Sequence, residues 1–128
     1  MIFLLDTNII IGLGRADPTI TRRLSGHASN DCAVSAISIA ELCYGAFRSR
    51  DPAGASAAIR LLPFRRLPLD ETDAEQAGMI RAALGKTGTP IGPHDCLIAG
   101  QARARNLTLV TRNLREFRRI DHLDVEEW

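Results

Sequence analysis

The stretch MIFLLDTN, residues 1–8, decides how the rest of the chain is read. Ile2, Phe3, Leu4 and Leu5 run without polar alternation, the pattern of a strand buried on both faces. Asp6, Thr7 and Asn8 then give way to Ile9, Ile10, Ile11 and Leu13, so the strand passes directly into a helix. Asp6 falls at the strand's carboxyl end, the edge where open α/β sheets bind ligands because the loops leave a crevice there. It can equally serve as the helix cap, a role also open to Thr7 and Asn8. The two readings separate on whether later segments bring more carboxylates to that edge.

Length and composition narrow the setting. The 128 residues suit one domain, 1–128, with a real core and no linker. The apolar opening is too short to span a membrane and lacks the basic flank and cleavage site of a signal peptide, so the chain reads as soluble and cytoplasmic. Cys32, Cys43 and Cys96 form an odd set without paired spacing. That excludes a disulfide framework and a structural zinc site, and the cysteines read as small core residues. Of the sixteen basic residues fifteen are arginine, Lys86 being the exception. Guanidinium groups suit phosphate, but codon bias of a G+C-rich genome would raise arginine and alanine together, and that reading is preferred for the bulk of them.

Taken in order, the chain alternates strands and helices. Asp17 and Pro18 open a short helix through Leu24, and Cys32 to Ser35 is a second buried strand. Ser38 and Glu41 have the spacing of a capping box, which starts a helix over Ile39 to Phe47 and puts Glu41 in its first turn. Asp51 and Pro52 open a helix to about Leu62, and Phe64 to Leu69, broken by Pro68, is an edge strand. Thr72 and Glu75 repeat the capping-box spacing ahead of a helix that buries Ala77, Ile80, Ala83 and Leu84. Pro90 to Pro93 form a rigid entry to a helix over Pro93 to Arg105, with Asp95 in its first turn. Leu107 to Val110 is a strand, Phe117 anchors a short helix in the core, and a last strand lies near Leu123 to Val125. The alternation implies an α/β domain of three layers, a central, mostly parallel sheet flanked by helices.

Asp6, Glu41 and Asp95 thus each fall at a strand end or in the first turn of a helix, and Asn113 follows a fourth strand in the same way. Clustered carboxylates stay ionised together only when cations compensate them, and all-oxygen ligands select hard ions such as Mg²⁺ or Mn²⁺. That combination points to phosphate chemistry.

The segments LLDTN, SAISIAELCYG, GTPIGPHDCLIAGQA and LVTRNLREFRRIDHLDVEEW, in order and in register over nearly the whole chain, resemble the PIN domain of VapC-type toxins, ribonucleases of type II toxin–antitoxin pairs. The resemblance implies a PIN fold and a Mg²⁺- or Mn²⁺-dependent endoribonuclease that cleaves RNA of the tRNA or rRNA class with a metal-activated water, leaving a 5′-phosphate. It makes Asp6, Glu41 and Asp95 the catalytic and metal-binding acids, supported by Asn8 and Ser38. Many members carry a fourth acid where this chain has Asn113, and Glu116 either replaces that charge or is a surface residue of its helix. Arg112 and Arg115 are the candidates for RNA phosphate contact, with Arg118 and Arg119 extending the patch. His94 is either a spacer or a general acid. The resemblance further implies a VapB-like antitoxin and a homodimer. Ile10, Ile11, Leu13, Tyr44 and Phe47 are too many for one core-facing row, so some should line an exposed groove for an amphipathic antitoxin helix.

Other classes fit less well. A haloacid-dehalogenase-type phosphatase needs a second aspartate two residues after the first, where Asn8 stands, and a response-regulator receiver needs a lysine after a late strand, whereas Lys86 falls at a helix end. A non-catalytic RNA- or protein-binding module of the same fold stays open.

Overall fold

Alternation along each strand sorts its side chains onto two faces of one sheet. The computed structural model describes residues 1–128. Five strands, β1 (Phe3–Leu5), β2 (Cys32–Ser35), β3 (Arg65–Leu67), β4 (Thr108–Val110) and β5 (Val125–Glu126), lie in the order β3-β2-β1-β4-β5. Every pairing is parallel. The opening strand is therefore the centre of the sheet and β3 one edge, as its proline predicts.

Helices α1 (Thr7–Gly14), α2 (Pro18–Ser25), α3 (Ala36–Phe47), α4 (Pro52–Arg60), α5 (Glu71–Lys86), α6 (Pro93–Ala104) and α7 (Leu114–Phe117) cover the two faces. Phe3, Leu5, Cys32, Val34 and Val110 point to one side, where Ile9, Ile10 and Ile20 of α1 and α2 meet them. Leu4, Ala33 and Leu109 point to the other, against Ile80 and Leu84 of α5 and Ile98, Ala99 and Ala102 of α6. One strand residue thus separates two cores, which is why the run reads as continuously apolar. Leu4 is fully buried. Cutting such a residue back to alanine costs about 2–5 kcal/mol.

Helix α6 is drawn close to α5 at Gly100, where a Cβ would stand 2.5 Å from the Ala77 backbone nitrogen, so only glycine fits. Buried Gln101 ties the same helix to the end of β3, its Nε2 donating to the Leu67 and Pro68 carbonyls at 3.1 and 3.0 Å. These anchors fix the height of α6, and hence of Asp95, above the sheet. Phe117 is fully buried, as expected, and Cys32 and Cys96 are buried too, whereas Cys43, also expected in the core, is only partly buried.

Two expected helix starts are corrected. Helix α3 begins at Ala36, three residues before the Ile39 start expected, and is capped by Ser35, whose side chain accepts from the Ile37 amide at 3.0 Å. The Ser38–Glu41 capping box does not form, because Ser38 is already inside the helix and buried against Thr7. Glu41 consequently sits in the second turn. Helix α5 is capped by Asp70 and Asp73, which bond reciprocally at 2.9 and 3.0 Å, in place of Thr72 and Glu75. Aspartate is the stronger cap, and Asp73 also gains an ion pair with Arg105 at 2.9 Å. The helix buries Ala77, Ile80 and Leu84 but leaves Ala83 exposed. The last strand begins at Val125, two residues later than expected, and Leu123 instead enters the core.

Candidate active site

The register of the sheet brings the ends of β1, β2 and β4 to one level, since Leu5 pairs with both Val34 and Val110. The next residues, Asp6, Ser35 and Thr111, therefore stand side by side at the carboxyl edge. Asp6 caps α1 and stands at the carboxyl edge of the sheet. Its Oδ1 accepts from the Thr7 amide at 2.8 Å and so caps α1, while Oδ2 accepts from the Thr111 hydroxyl at 2.8 Å. Thr111 accepts in turn from the Asn113 amide at 2.9 Å. One buried threonine thus fixes the first acid and the turn that carries Asn113.

Asp6, Asn8, Glu41, Asp95 and Asn113 line a single cleft with Thr7 and Ile11, about 250 Å³ in volume. The expected acids are brought together. Thr7 links two of the segments: its Oγ1 lies 2.9 Å from both Ser38 Oγ and Glu41 Oε1. A hydroxyl has one proton, so Thr7 gives it to the carboxylate and receives the Ser38 proton on a lone pair. Ser38 is thereby a buried support of Glu41 and does not line the cleft. Asn113 donates from Nδ2 to Glu116 Oε2 at 2.9 Å, which turns Glu116 toward the site.

Electrostatics follow from this crowding. Burial, opposed by the bonds from Thr111 and Thr7, raises the Asp6 pKa above the usual carboxylate value. Asp95 is pushed up to about 6, first by burial and then by the charges of Asp6, Glu116 and Glu41, with His94 offsetting a little. No three histidine, cysteine, aspartate or glutamate side chains converge closely enough to hold a metal ion as they stand. Each carboxylate instead rests on its own hydrogen bonds or apart from the others, as mutual repulsion dictates. The donor set itself, three carboxylates with two amides nearby, has the hard oxygen chemistry of a divalent-cation site.

The arginines are placed unequally. Arg112 is bonded through Nη1 to Asp17 at 2.9 Å and through Nε to the Trp128 carbonyl at 2.9 Å, and its amide donates to Asn8 Oδ1 at 3.3 Å. Part of its charge is thus already spent on Asp17. Arg115, Arg118 and Arg119 are exposed, but Arg119 lines a hollow with Met79 and Ile120 that shares no residue with the acidic cleft. Arg15, passed over in the sequence, lines the hollow beside Asn8 and Ile11. Thr7 and Thr111 are site residues that the sequence alone does not single out. Their only sequence signal is that each adjoins a strand end, Thr7 directly after Asp6 and Thr111 two residues before Asn113. Of the expected groove residues, Ile10 is buried, whereas Ile11, Tyr44 and Phe47 are exposed.

A parallel sheet between helical layers, with carboxylates converging above its central strand, is the architecture of the PIN domain, and the PIN domain family model matches residues 3–123. The tRNA(fMet)-specific endonuclease VapC of Shigella flexneri is 39% identical over 128 residues, covering 98% of this chain and 97% of that protein. Ribonuclease VapC2 of Haemophilus influenzae is 41% identical over 129 residues, with 98% and 97% covered. Among solved structures, DNA-bound VapBC from Salmonella typhimurium superimposes with a TM-score of 0.92 at 38% identity, covering 100% of this chain and 98% of the other. The chain belongs to the VapC ribonucleases of the PIN-domain family.

Proposed function

We propose that this chain is the toxin of a toxin–antitoxin pair, a Mg²⁺- or Mn²⁺-dependent endoribonuclease acting in the cytoplasm on structured RNA of the tRNA or rRNA class. The observation that carries the reading is the convergence of Asp6, Glu41 and Asp95 in one cleft at the carboxyl edge of the sheet. The tRNA(fMet)-specific relatives favour tRNA.

Asp6, Glu41 and Asp95 would hold the cation. When bound, it supplies Lewis-acid polarisation of the scissile phosphate and a water acidic enough to lose its proton at neutral pH. The residues have separable roles. Thr111 and the Thr7 amide hold Asp6 in one rotamer, and the Thr7 hydroxyl orients Glu41. Asp6 or Asp95, which line the cleft together, would take the proton of the attacking water. Asn113 and Asn8 contribute neutral dipoles, and Glu116, bonded to Asn113, supplies part of the charge that Asn113 lacks. Arg115 and the remaining N–H groups of Arg112 meet backbone phosphates at the cleft's rim. Cleavage by in-line attack then leaves a 5′-phosphate.

Structures of VapBC complexes among the similar folds support a VapB-like antitoxin as partner, and a homodimeric toxin is the further expectation from the family resemblance. An amphipathic antitoxin helix would cover exposed Phe47. The test is cleavage of total tRNA by the purified chain with Mg²⁺, Mn²⁺ or EDTA, beside Asp95→Asn. Cleavage that needs the metal and Asp95 is the expected outcome. RNA binding without cleavage would favour the non-catalytic module, and hydrolysis of phosphomonoesters instead of RNA would favour a phosphatase.

A further inference from the structure

The acidic cleft does not end at its carboxylates. On one side it shares Asn8 and Ile11 with a hollow of about 500 Å³ that also carries Arg15 and Arg112. On the other it shares Thr7, Ile11 and Glu41 with a hollow of about 490 Å³ completed by Ala40, Tyr44 and His94. Both volumes lie within the range of small-ligand pockets. The two sides differ in charge. The first presents two guanidinium groups against one carboxylate, Asp17, which is paired with Arg112 and leaves Arg15 free, whereas the second has no lysine or arginine in its lining and has a carboxylate on its wall. The second side thus offers a phosphate no cationic side chain, and a neutral planar group with N–H donors suits it better.

Tyr44 makes that side specific. It is 65% exposed and lines the hollow beside Ile11, itself 41% exposed. Yet it is held in position from its own helix: Arg48 donates to the phenol oxygen at 2.9 Å and places its guanidinium carbon 5.1 Å from the ring centroid. Arg48 does not line the hollow, so the surface Tyr44 offers to it is not the face Arg48 occupies. The ring is preorganised and open at once, which lowers the entropic cost of stacking a ligand on it.

We propose that Tyr44 is the stacking platform for the nucleobase adjoining the scissile phosphate, so that single-stranded RNA crosses the cleft with its backbone toward Arg15 and one base toward Tyr44. Aromatic stacking is the usual means of holding an unpaired RNA base and tolerates any base identity. Edge contacts to Glu41 and His94 would bias the choice among bases. The inference rests on the endoribonuclease reading.

The experiment uses a short RNA stem-loop, chosen from those the native protein cleaves if any is cut, carrying 2-aminopurine at each loop position in turn. Binding is followed by fluorescence in an Asp95→Asn background, and cleavage of the unlabelled RNA in the otherwise native protein, for Tyr44, Tyr44→Phe and Tyr44→Ala. Quenching at one position next to the cleaved bond is expected with Tyr44 and Tyr44→Phe. Tyr44→Ala should lose it and raise KM about 5- to 30-fold, the effect of one lost stack, with kcat changed much less. Because Tyr44 is exposed, the alanine variant keeps its fold, and a thermal melt verifies this. Unchanged quenching and KM in Tyr44→Ala overturn the proposal, including the case in which that variant loses only antitoxin binding and so marks Tyr44 as a protein contact. Quenching through Tyr44 in the Asp95→Asn background, with no cleavage by the otherwise native protein, would leave Tyr44 as a base-stacking residue but overturn both the ribonuclease reading and its place beside a scissile phosphate.

Discussion

Replacing Asp95 with asparagine should make the metal-free protein more stable and inactive at the same time. Burial and the charges of Asp6, Glu116 and Glu41 raise this carboxyl to about 6, against about 3.9 in an unfolded chain. Two pKa units correspond to about 3 kcal/mol of penalty for the ionised form. Asp95 is only half-buried, and solvent screening leaves about 1–2 kcal/mol of that. The sign follows from the direction of the shift. A raised folded pKa means that native stability is greatest in acid and declines as pH rises from about 4 through about 6, so at pH 7.5 the whole penalty is present. The substituted amide does not ionise and keeps the side chain's shape. The variant's melting temperature in EDTA should exceed that of the native protein by about 3–8 °C at pH 7.5 for a chain of this size, and the gain should shrink toward pH 4.5. Circular-dichroism melts at the two pH values, with tRNA cleavage in Mn²⁺ alongside, check both halves. No gain at pH 7.5, an equal gain at pH 4.5, or retained cleavage would refute the reasoning.

Asn113→Asp adds the fourth carboxylate but sets it against Glu116, now a hydrogen-bond partner at 2.9 Å. Calorimetric titration should show Mn²⁺ binding roughly tenfold tighter without RNA, and unchanged affinity would mean that Glu116 already saturates the demand for charge. Phe47→Ala should weaken antitoxin binding far more than RNA cleavage, measured by surface plasmon resonance and gel assay; because Phe47 is 67% exposed, equal losses would contradict its placement. Arg105→Met leaves Asp73 buried without its cation, at a cost of about 2–3 kcal/mol in urea titrations at pH 7. Although burial alone would raise Asp73, the bonds from Arg105 and from the Asp70 amide hold its pKa below the usual value. The stabilisation is therefore present at neutral pH and lost as pH falls through that lowered value, so the difference between Arg105→Met and the native protein should narrow in acid.

How much the sequence settled can be judged element by element. Apolar runs of three or four residues and the Asp-Pro pairs at 17–18 and 51–52 specify strands and helix starts because their signals act within a single turn or strand. The positions of Asp6, Glu41 and Asp95 were legible for the same reason, each lying at or close to a strand-to-helix junction. Tertiary contacts decided the rest. Ser35 and not Ser38 caps α3 because Thr7, from another segment, takes the Ser38 hydroxyl. Thr111 becomes a support of the first acid only because β4 pairs beside β1, which joins residues 105 positions apart. Arg112 is tied to Asp17, Glu116 is turned inward by Asn113, and Tyr44 stays open while Ile10 is buried. Local chemistry determines where a strand ends and a helix begins. Which polar group then meets which depends on strand order and register, and these are set by burying both faces of the sheet at once, a free energy summed over the whole chain and not readable from any one stretch of it.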